Sequence, residues 1–175
     1  MIQTERPHAD EYDPYYAAYI DRIQEADVLN ALRQQQAESE ATLKSLSDEA
    51  ATLRYAPDKW SVKEVVGHLC DTERVFVYRA LCIALGESQP LPGMDQDVYV
   101  TGANFDSRAI DSLAEELAAI RSATLALFES LDEQGWSRSG IANEVPISVR
   151  AIAFIIAGHE AHHMAVLRDK YGVGL

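Results

Sequence analysis

Cysteine is scarce, basic residues are outnumbered and long apolar runs are missing, and each shortage removes a class of protein. Two cysteines cannot build a disulfide framework. Cys70 and Cys82 are expected on one helix, twelve residues apart, which separates them by about 18 Å against a Cα limit of about 7 Å for a disulfide. Both are therefore expected as reduced thiols in a cytoplasmic protein. The opening MIQTERPHADEYDPYY has no apolar signal-peptide core, and no segment approaches the roughly 20 apolar residues of a membrane span, so no membrane is expected as a partner. Lys and Arg number 15 against 28 Asp and Glu, a net charge of −13. Such a chain repels a phosphate backbone, and with no basic block to offset the repulsion, nucleic acid is excluded as a partner. Sustained strand alternation, internal repeats and low-complexity linkers are also missing.

What remains is a 175-residue chain with a 47% apolar share, enough for one core. One domain over residues 1–175 is expected, with about 1–26 as an N-terminal extension packed on it. Three helices carry clear 3.6-residue periodicity. Ile110, Leu113, Leu117, Ile120, Thr124, Leu127 and Leu131 alternate at three and four residues, with Gly135 as the stop. Ser61 and Glu64 form a capping box ahead of Val62, Val65, Val66, Leu69, Phe76 and Ile83, which predicts a helix over about 61–85 ended by Gly86. The last helix starts at Ser148, after Pro146, and runs through Ile152, Ile155, Ile156 and Leu167 to Gly172. Nearer the N-terminus, Asp13-Pro14 reads as a cap followed by Pro at the first helical position, with Tyr15, Tyr19, Ile20 and Ile23 as one short apolar face. Asp27 reads as the cap of a longer helix carrying Leu29, Leu32, Leu43 and Leu46.

Four long helices point to an all-α four-helix bundle. About twenty residues containing Pro90, Pro92 and Gly93 connect Gly86 to Asp106, far more than the roughly 4–6 usual between packed elements. Extended, such a connector reaches about 60 Å, whereas a 25-residue helix is about 37 Å long. The second and third helices can therefore run parallel, joined by a crossover; a lid or an unstructured loop would account for the same length.

Four of five histidines, His68, His159, His162 and His163, fall on expected apolar helices. In AGHEAHHMAVLR, His159 and His163 are four residues apart and share a helix face, the spacing with which one helix offers two nitrogens to a metal. His68, in VVGHLCDTE, is placed inward by Val65, Leu69 and Thr72 and offers a third. His162, three residues from His159, faces roughly the same way; the better-attested spacing favours His163 and leaves His162 beside the site. An H-x3-H pair also arises on solvated faces, and a histidine on an apolar face can be a satisfied core residue, so spacing alone leaves these readings open.

The runs YAPDKWSVKEVVGHLCDTERVF, PLPGMDQDVY and AGHEAHHMAVLRDKYG resemble the DinB-like superfamily, which includes the YfiT-type metal-dependent proteins, over about Tyr55 to Tyr171. The resemblance implies a bundle of up-down-down-up order, with the long crossover between helices 2 and 3, and a homodimer. It also implies a divalent metal ion, nickel or zinc, held by His68, His159 and His163. Three imidazoles leave coordination positions open, as catalytic sites do. Relatives in this superfamily imply a metal that activates a low-molecular-weight thiol cosubstrate for attack on a small-molecule electrophile, an S-transferase reaction. Metal-dependent hydrolysis, or a non-enzymatic metal-binding and dimerisation module in stress response, are the alternatives.

Asp71 and Glu160 stand where they could accept the second N–H of a ligand imidazole, or be solvated helix residues. Asp95, Asp97 and Tyr99 sit in the connector, where polar groups can reach a substrate or simply form a turn. Arg74, Arg79 and Arg150 can bind carboxylates of a thiol cosubstrate or pair with nearby acids. Trp60 precedes the capping box and is expected to staple the helix entry. Cys70 and Cys82 read as packing residues.

Overall fold

The helix starts are made by the side chains that signalled them. The computed structural model describes residues 5–174. Residues 1–4 of the expected N-terminal extension, and Leu175, lie outside the described residues. Asp13 accepts from the Tyr15 N–H at the start of a 3-10 turn, Pro14–Tyr16, which leads into α1, Ala17–Ile20. Asp27 accepts from the N–H groups of Leu29 and Asn30 and opens α2, Val28–Lys44. A single turn, α3, Asp48–Ala51, is capped by Ser47. Ser61 and Glu64 form the reciprocal capping box of α4, Val62–Ala84, and Ser148 caps α8, Val149–Tyr171, which ends on Gly172 in the left-handed region.

Between α4 and α8 the chain departs from the expected pattern in three places. The connector contains a helix, α5, Gln96–Ala103, because the Asp95 carboxylate accepts from two N–H groups of its first turn. The next long helix, α6, Ile110–Ser130, stops well before Gly135. Leu131 turns extended, and Asp132 accepts from the Gly135 N–H to start a new helix, α7, Glu133–Ser137, so Gly135 belongs to a helix start rather than a stop. Residues 139–148 then form a hairpin of β1, Ser139–Ala142, and β2, Val145–Ser148, in register Ser139↔Ser148 and Ala142↔Val145. Its turn residues Asn143 and Glu144 both have positive φ, as the tightest hairpin turns require. Four-residue strands are too short to register as alternation.

Helices α2 and α4 each pack against both α6 and α8. Arg33 meets Glu129 and Lys44 meets Glu115 between α2 and α6, whereas Gln35 donates to the Ala157 carbonyl and Ser39 to Glu160 between α2 and α8. Between α4 and α6, Arg74 meets Glu116 and Thr124 donates to Glu73. Two apolar clusters result. One gathers Val28, Leu32, Phe76, Ile83, Phe128, Ile152 and Ile155; the other gathers Leu43, Val62, Val65, Leu69, Leu113, Leu117 and Leu167. On each of the four long helices a buried polar stretch separates the two: Ser39 on α2, Thr72 and Glu73 on α4, Arg121 and Thr124 on α6, His159 and Glu160 on α8.

The N-terminal segment adds to the first cluster through Tyr16, Ile20 and Ile23. Tyr15, expected on that apolar face, is 70% exposed, because the 3-10 turn rotates Tyr16 inward in its place. α1 lies so close to α8 that a Cβ at Gly158 would stand 2.0 Å from the Tyr19 carbonyl oxygen. Upstream, Glu11 joins the start of α8: its carboxylate accepts from Ser148 Oγ, at 2.7 Å, and from Arg150, and its carbonyl accepts from the Ser148 N–H. Burial pushes the Glu11 carboxyl up, but hydrogen bonds from Arg150, Ser148 and the His8 N–H outweigh it and hold the group below its ordinary value. Among the described residues no helix is long and apolar enough to cross a membrane.

Two outcomes follow from this packing. Gly158→Ala should cost about 1–3 kcal/mol, the usual range for overpacking, and should expose the segment around α1 to limited proteolysis before the bundle; urea unfolding and a proteolysis time course check it. Glu11, with a depressed folded pKa, contributes stability that is present above its ordinary value of 4.5 and lost as pH falls through the lower folded value. Denaturation midpoints measured from pH 7 to pH 3 should fall less steeply for Glu11→Gln than for the wild type.

Candidate metal centre

Two long helices bring the three histidines together. His68 lies in the second turn of α4, behind the capping box that fixes its start, and His159 and His163 lie one turn apart on α8. The nitrogens these residues offer all fall within 4.8 Å of one another. His68 Nε2 and His159 Nε2 are 3.1 Å apart, and the His68, His159 and His163 rings contact pairwise with centroids at 4.6–5.0 Å. His68 and His159 are buried and His163 is half-buried.

Burial sets the protonation of the cluster. It pulls His68 down to about 4. It also pulls His163 to about 3, helped by the repulsion a charged His68 or His162 would exert, and depresses His159 well below its ordinary value for the same reasons. At neutral pH the cluster is three uncharged imidazoles with no carboxylate among them. Two lone-pair nitrogens bound to one cation at about 2.0–2.1 Å stand roughly 3–3.4 Å apart, so the 3.1 Å approach of His68 and His159 suits a shared ion. Thr72 Oγ1 lies 3.3 Å from His68 Nδ1. A hydroxyl accepting from Nδ1–H there leaves the Nε2 lone pair facing His159, the tautomer a metal ligand needs.

Thr72, rather than Asp71, is thus the residue that meets His68. Asp71 pairs with Arg74 at 3.4 Å instead. The same helical arithmetic that joins His159 to His163 joins His68 to Thr72, four residues on. Glu160 does not reach the rings either. One residue beyond His159 it is turned by about 100° around α8, where its carboxylate accepts from Ser39 and Arg121. His162 is half-buried beside the cluster, in edge contact with His163 and Tyr19 at 5.0 and 5.5 Å. Tyr19 also packs edge-on against His159 at 5.4 Å, and burial pushes its hydroxyl up to about 12. By sequence Tyr19 belongs to a short apolar face; nothing in its local spacing marks a residue that acts through a turn against α8. Trp60, besides preceding the capping box, covers His68 with ring centroids 4.9 Å apart.

A cavity of about 400 Å³ opens on His68 and His159. Its floor is one face of α4, Thr72, Phe76 and Arg79, and its walls come from outside the bundle: the Asp13–Tyr19 segment, Met94 and Gln96 at the start of α5, and Asn143 and Val145 of the hairpin. Asp95, Asp97 and Tyr99 do not line it. Asp95 is spent capping α5, Asp97 is exposed on the first turn, and Tyr99 is 46% exposed; their neighbours Met94 and Gln96 occupy the wall instead. Cys70 is buried, and burial pushes its thiol far up, so it packs rather than reacts.

Comparison with known proteins fits this geometry. The sequence model of the DinB superfamily matches residues 31–167. A protein of Oceanobacillus iheyensis named "Putative metal-dependent hydrolase" is 26% identical over 129 residues, 73% of each chain. Among solved structures, YfiT from Bacillus subtilis, described as "a probable metal-dependent hydrolase with an unusual four-helix bundle topology", superposes with a TM-score of 0.76 at 16% identity, covering 97% of this chain and 95% of that one. A mycothiol-dependent maleylpyruvate isomerase superposes with a TM-score of 0.67 at 11% identity, covering 89% of this chain and 63% of that one. At those identities the two structures speak to the fold, a helical bundle like that of YfiT.

Behind the histidines, Arg121 is 1% exposed, donates to both Glu73 oxygens at 2.8–2.9 Å and to Glu160, and reaches the Leu32 carbonyl. Replacing it with Met leaves two buried carboxylates facing each other. Arg121→Met should cost about 3–5 kcal/mol by urea denaturation, and adding Glu73→Gln and Glu160→Gln to the same chain should return part of that loss.

Proposed function

We propose that this chain, which belongs to the DinB superfamily, is a metal-dependent enzyme that activates a nucleophile against a small molecule held in the α4 cavity. The observation that carries the reading is the convergence of three uncharged imidazoles with no acid among them, two of which, His68 and His159, line the cavity. His68, His159 and His163 are the ligands in this proposal, and nickel or zinc the metal, since imidazole suits both. A divalent cation bound there supplies positive charge that lowers the pKa of an adjacent thiol or water.

The chain's own residues do the rest. Thr72 fixes the His68 ring by accepting at Nδ1. Tyr19 holds His159 and His162 edge-on and seals the cluster from the N-terminal side. Phe76 and Ile155 give the cavity an apolar surface beside the two lining histidines. A low-molecular-weight thiol is the nucleophile in our first reading, an S-transferase type of reaction, and the structural likeness to a mycothiol-dependent enzyme supports it. Water is the nucleophile in the second, which the names of the hydrolase relatives support.

The same proposal carries the finer architecture. We read the bundle as one unit over the chain, in up-down-down-up order with the 86–106 connector as the crossover. The pairing of Arg33 with Glu129 and Lys44 with Glu115, against that of Gln35 with Ala157 and Ser39 with Glu160, supports this reading. A cytoplasmic setting, a small molecule rather than nucleic acid or membrane as partner, and a homodimer belong to it as well.

Metal content of untagged protein, measured by inductively coupled plasma mass spectrometry after reconstitution and desalting, tests the reading. About one equivalent of a divalent ion per chain is expected; less than about 0.2 equivalents overturns it. His163→Ala should lose the metal and His162→Ala should keep it. Thiol consumption with monochlorobimane then separates the two nucleophiles: thiol-dependent turnover supports the transferase, and its absence with several thiols supports the hydrolase.

A further inference from the structure

Arg79 presents a charge the protein itself does not neutralise. It lies on the same face of α4 as His68, Thr72 and Phe76 and lines the cavity, yet it is only 5% exposed. The other buried guanidinium, Arg121, has two carboxylates. Arg74 has Asp71 and Glu116, and Arg150 has Glu11. Arg79 has no carboxylate partner among the described residues. It makes one hydrogen bond, from Nη2 to the Pro92 carbonyl at 2.7 Å, its Nε is buried without an acceptor, and its guanidinium lies 5.3 Å from the centre of the Phe76 ring. Asp13, the one acid lining the cavity, caps the Tyr15 N–H and forms no ion pair with Arg79.

A buried cation without a counter-charge is costly, and proteins keep one where a ligand supplies the anion. A guanidinium matches the planar carboxylate in particular, through paired N–H donors. Along α4 the Cα atoms of His68 and Arg79 are eleven residues and so about 16 Å apart, a span that the arginine side chain shortens to the length of a small organic acid. We propose that Arg79 anchors the carboxylate of a small molecule whose other end lies at the histidine cluster. The inference deepens the proposed function by naming a substrate class, but the anion contact does not need the metal.

The test therefore uses protein both as purified and after stripping with a chelator, which separates the Arg79 contact from any carboxylate bound to a metal. Acetate, benzoate, phenylacetate and succinate are each titrated against the corresponding neutral amide by isothermal calorimetry. At least one acid should bind the stripped wild-type protein ten or more times tighter than its amide. In Arg79→Gln that preference should fall below two-fold, and Arg79→Lys, which keeps the charge, should keep part of it. Equal binding of acid and amide across the whole series, binding of none, or a preference that survives in Arg79→Gln overturns the proposal. A purely structural role for Arg79 would lower the melting temperature of both variants while leaving the acid-over-amide ratio unchanged, and that result overturns it too. If Arg79→Gln does not fold, Arg79→Lys and the wild-type series decide. Failure to find metal with the acid preference intact would sink the metal reading and leave this one standing.

Discussion

The buried Arg121 guanidinium is the contact on which the rest of the structure depends. It sits on α6 and reaches Glu73 on α4, Glu160 on α8 and the Leu32 carbonyl on α2, so a single side chain touches all four long helices. Thr124 and Ser39 complete the hydrogen bonding of the two carboxylates. Such a layer adds little net stability compared with apolar packing, but it tolerates one alignment only, because a slip of one turn strands a charge in the core. Glu73 stands one residue after Thr72, and Glu160 one residue after His159. The register that satisfies Arg121 on one side of α4 and α8 therefore sets the meeting of His68 and His159 on the other. Ion triad and histidine cluster are two faces of one alignment.

The bundle supplies the cluster and the irregular segments supply the room around it. Four bare helices would leave His68 and His159 in a shallow seam. The 3-10 turn at Pro14, the start of α5 and the turn of the hairpin raise walls on three sides of it. Each wall is locally specified: Asp13 and Asp95 cap their turns, and the hairpin turn takes positive φ at Asn143 and Glu144. Relatives of one fold can thus exchange cavity walls without disturbing the cluster, the usual division between a rigid frame and variable loops.

How much of this was legible in the sequence divides along the same line. The starts of α2, α4 and α8 were readable because Asp27, Ser61 with Glu64, and Ser148 carry local capping chemistry. The three histidines were readable because helical spacing and an apolar context are local too. Glu160 is neither an imidazole acceptor nor solvated but a partner of Arg121 and Ser39, because adjacency in sequence is not adjacency in space: consecutive helix positions diverge by about 100°. Thr72 obeyed the rule applied to His159 and His163 and was passed over for the more basic acceptor, Asp71. Tyr19, Met94 and Asn143 meet only through tertiary contacts between distant segments, and no periodicity encodes those. The hairpin and α5 were too short for their patterns to rise above the surrounding connectors.

The cavity and the surface of this protein differ in electrical character. Of the 28 acidic residues only Glu73 and Glu160 are buried, and both are spent on Arg121. The cavity is lined by one guanidinium, one carboxylate, Asp13, and two uncharged imidazoles, while the exterior carries the surplus that makes the chain −13. An approaching anion meets the repulsion of the exterior within a Debye length of about 10 Å and meets Arg79 only inside the cavity. If Arg79 anchors an acid, dissolved salt acts mainly on the approach, through the outer repulsion. It shortens the reach of the outer repulsion and screens the contact at the largely buried Arg79 less. Ion-rich surroundings would therefore speed the arrival of such a molecule more than they loosen its hold.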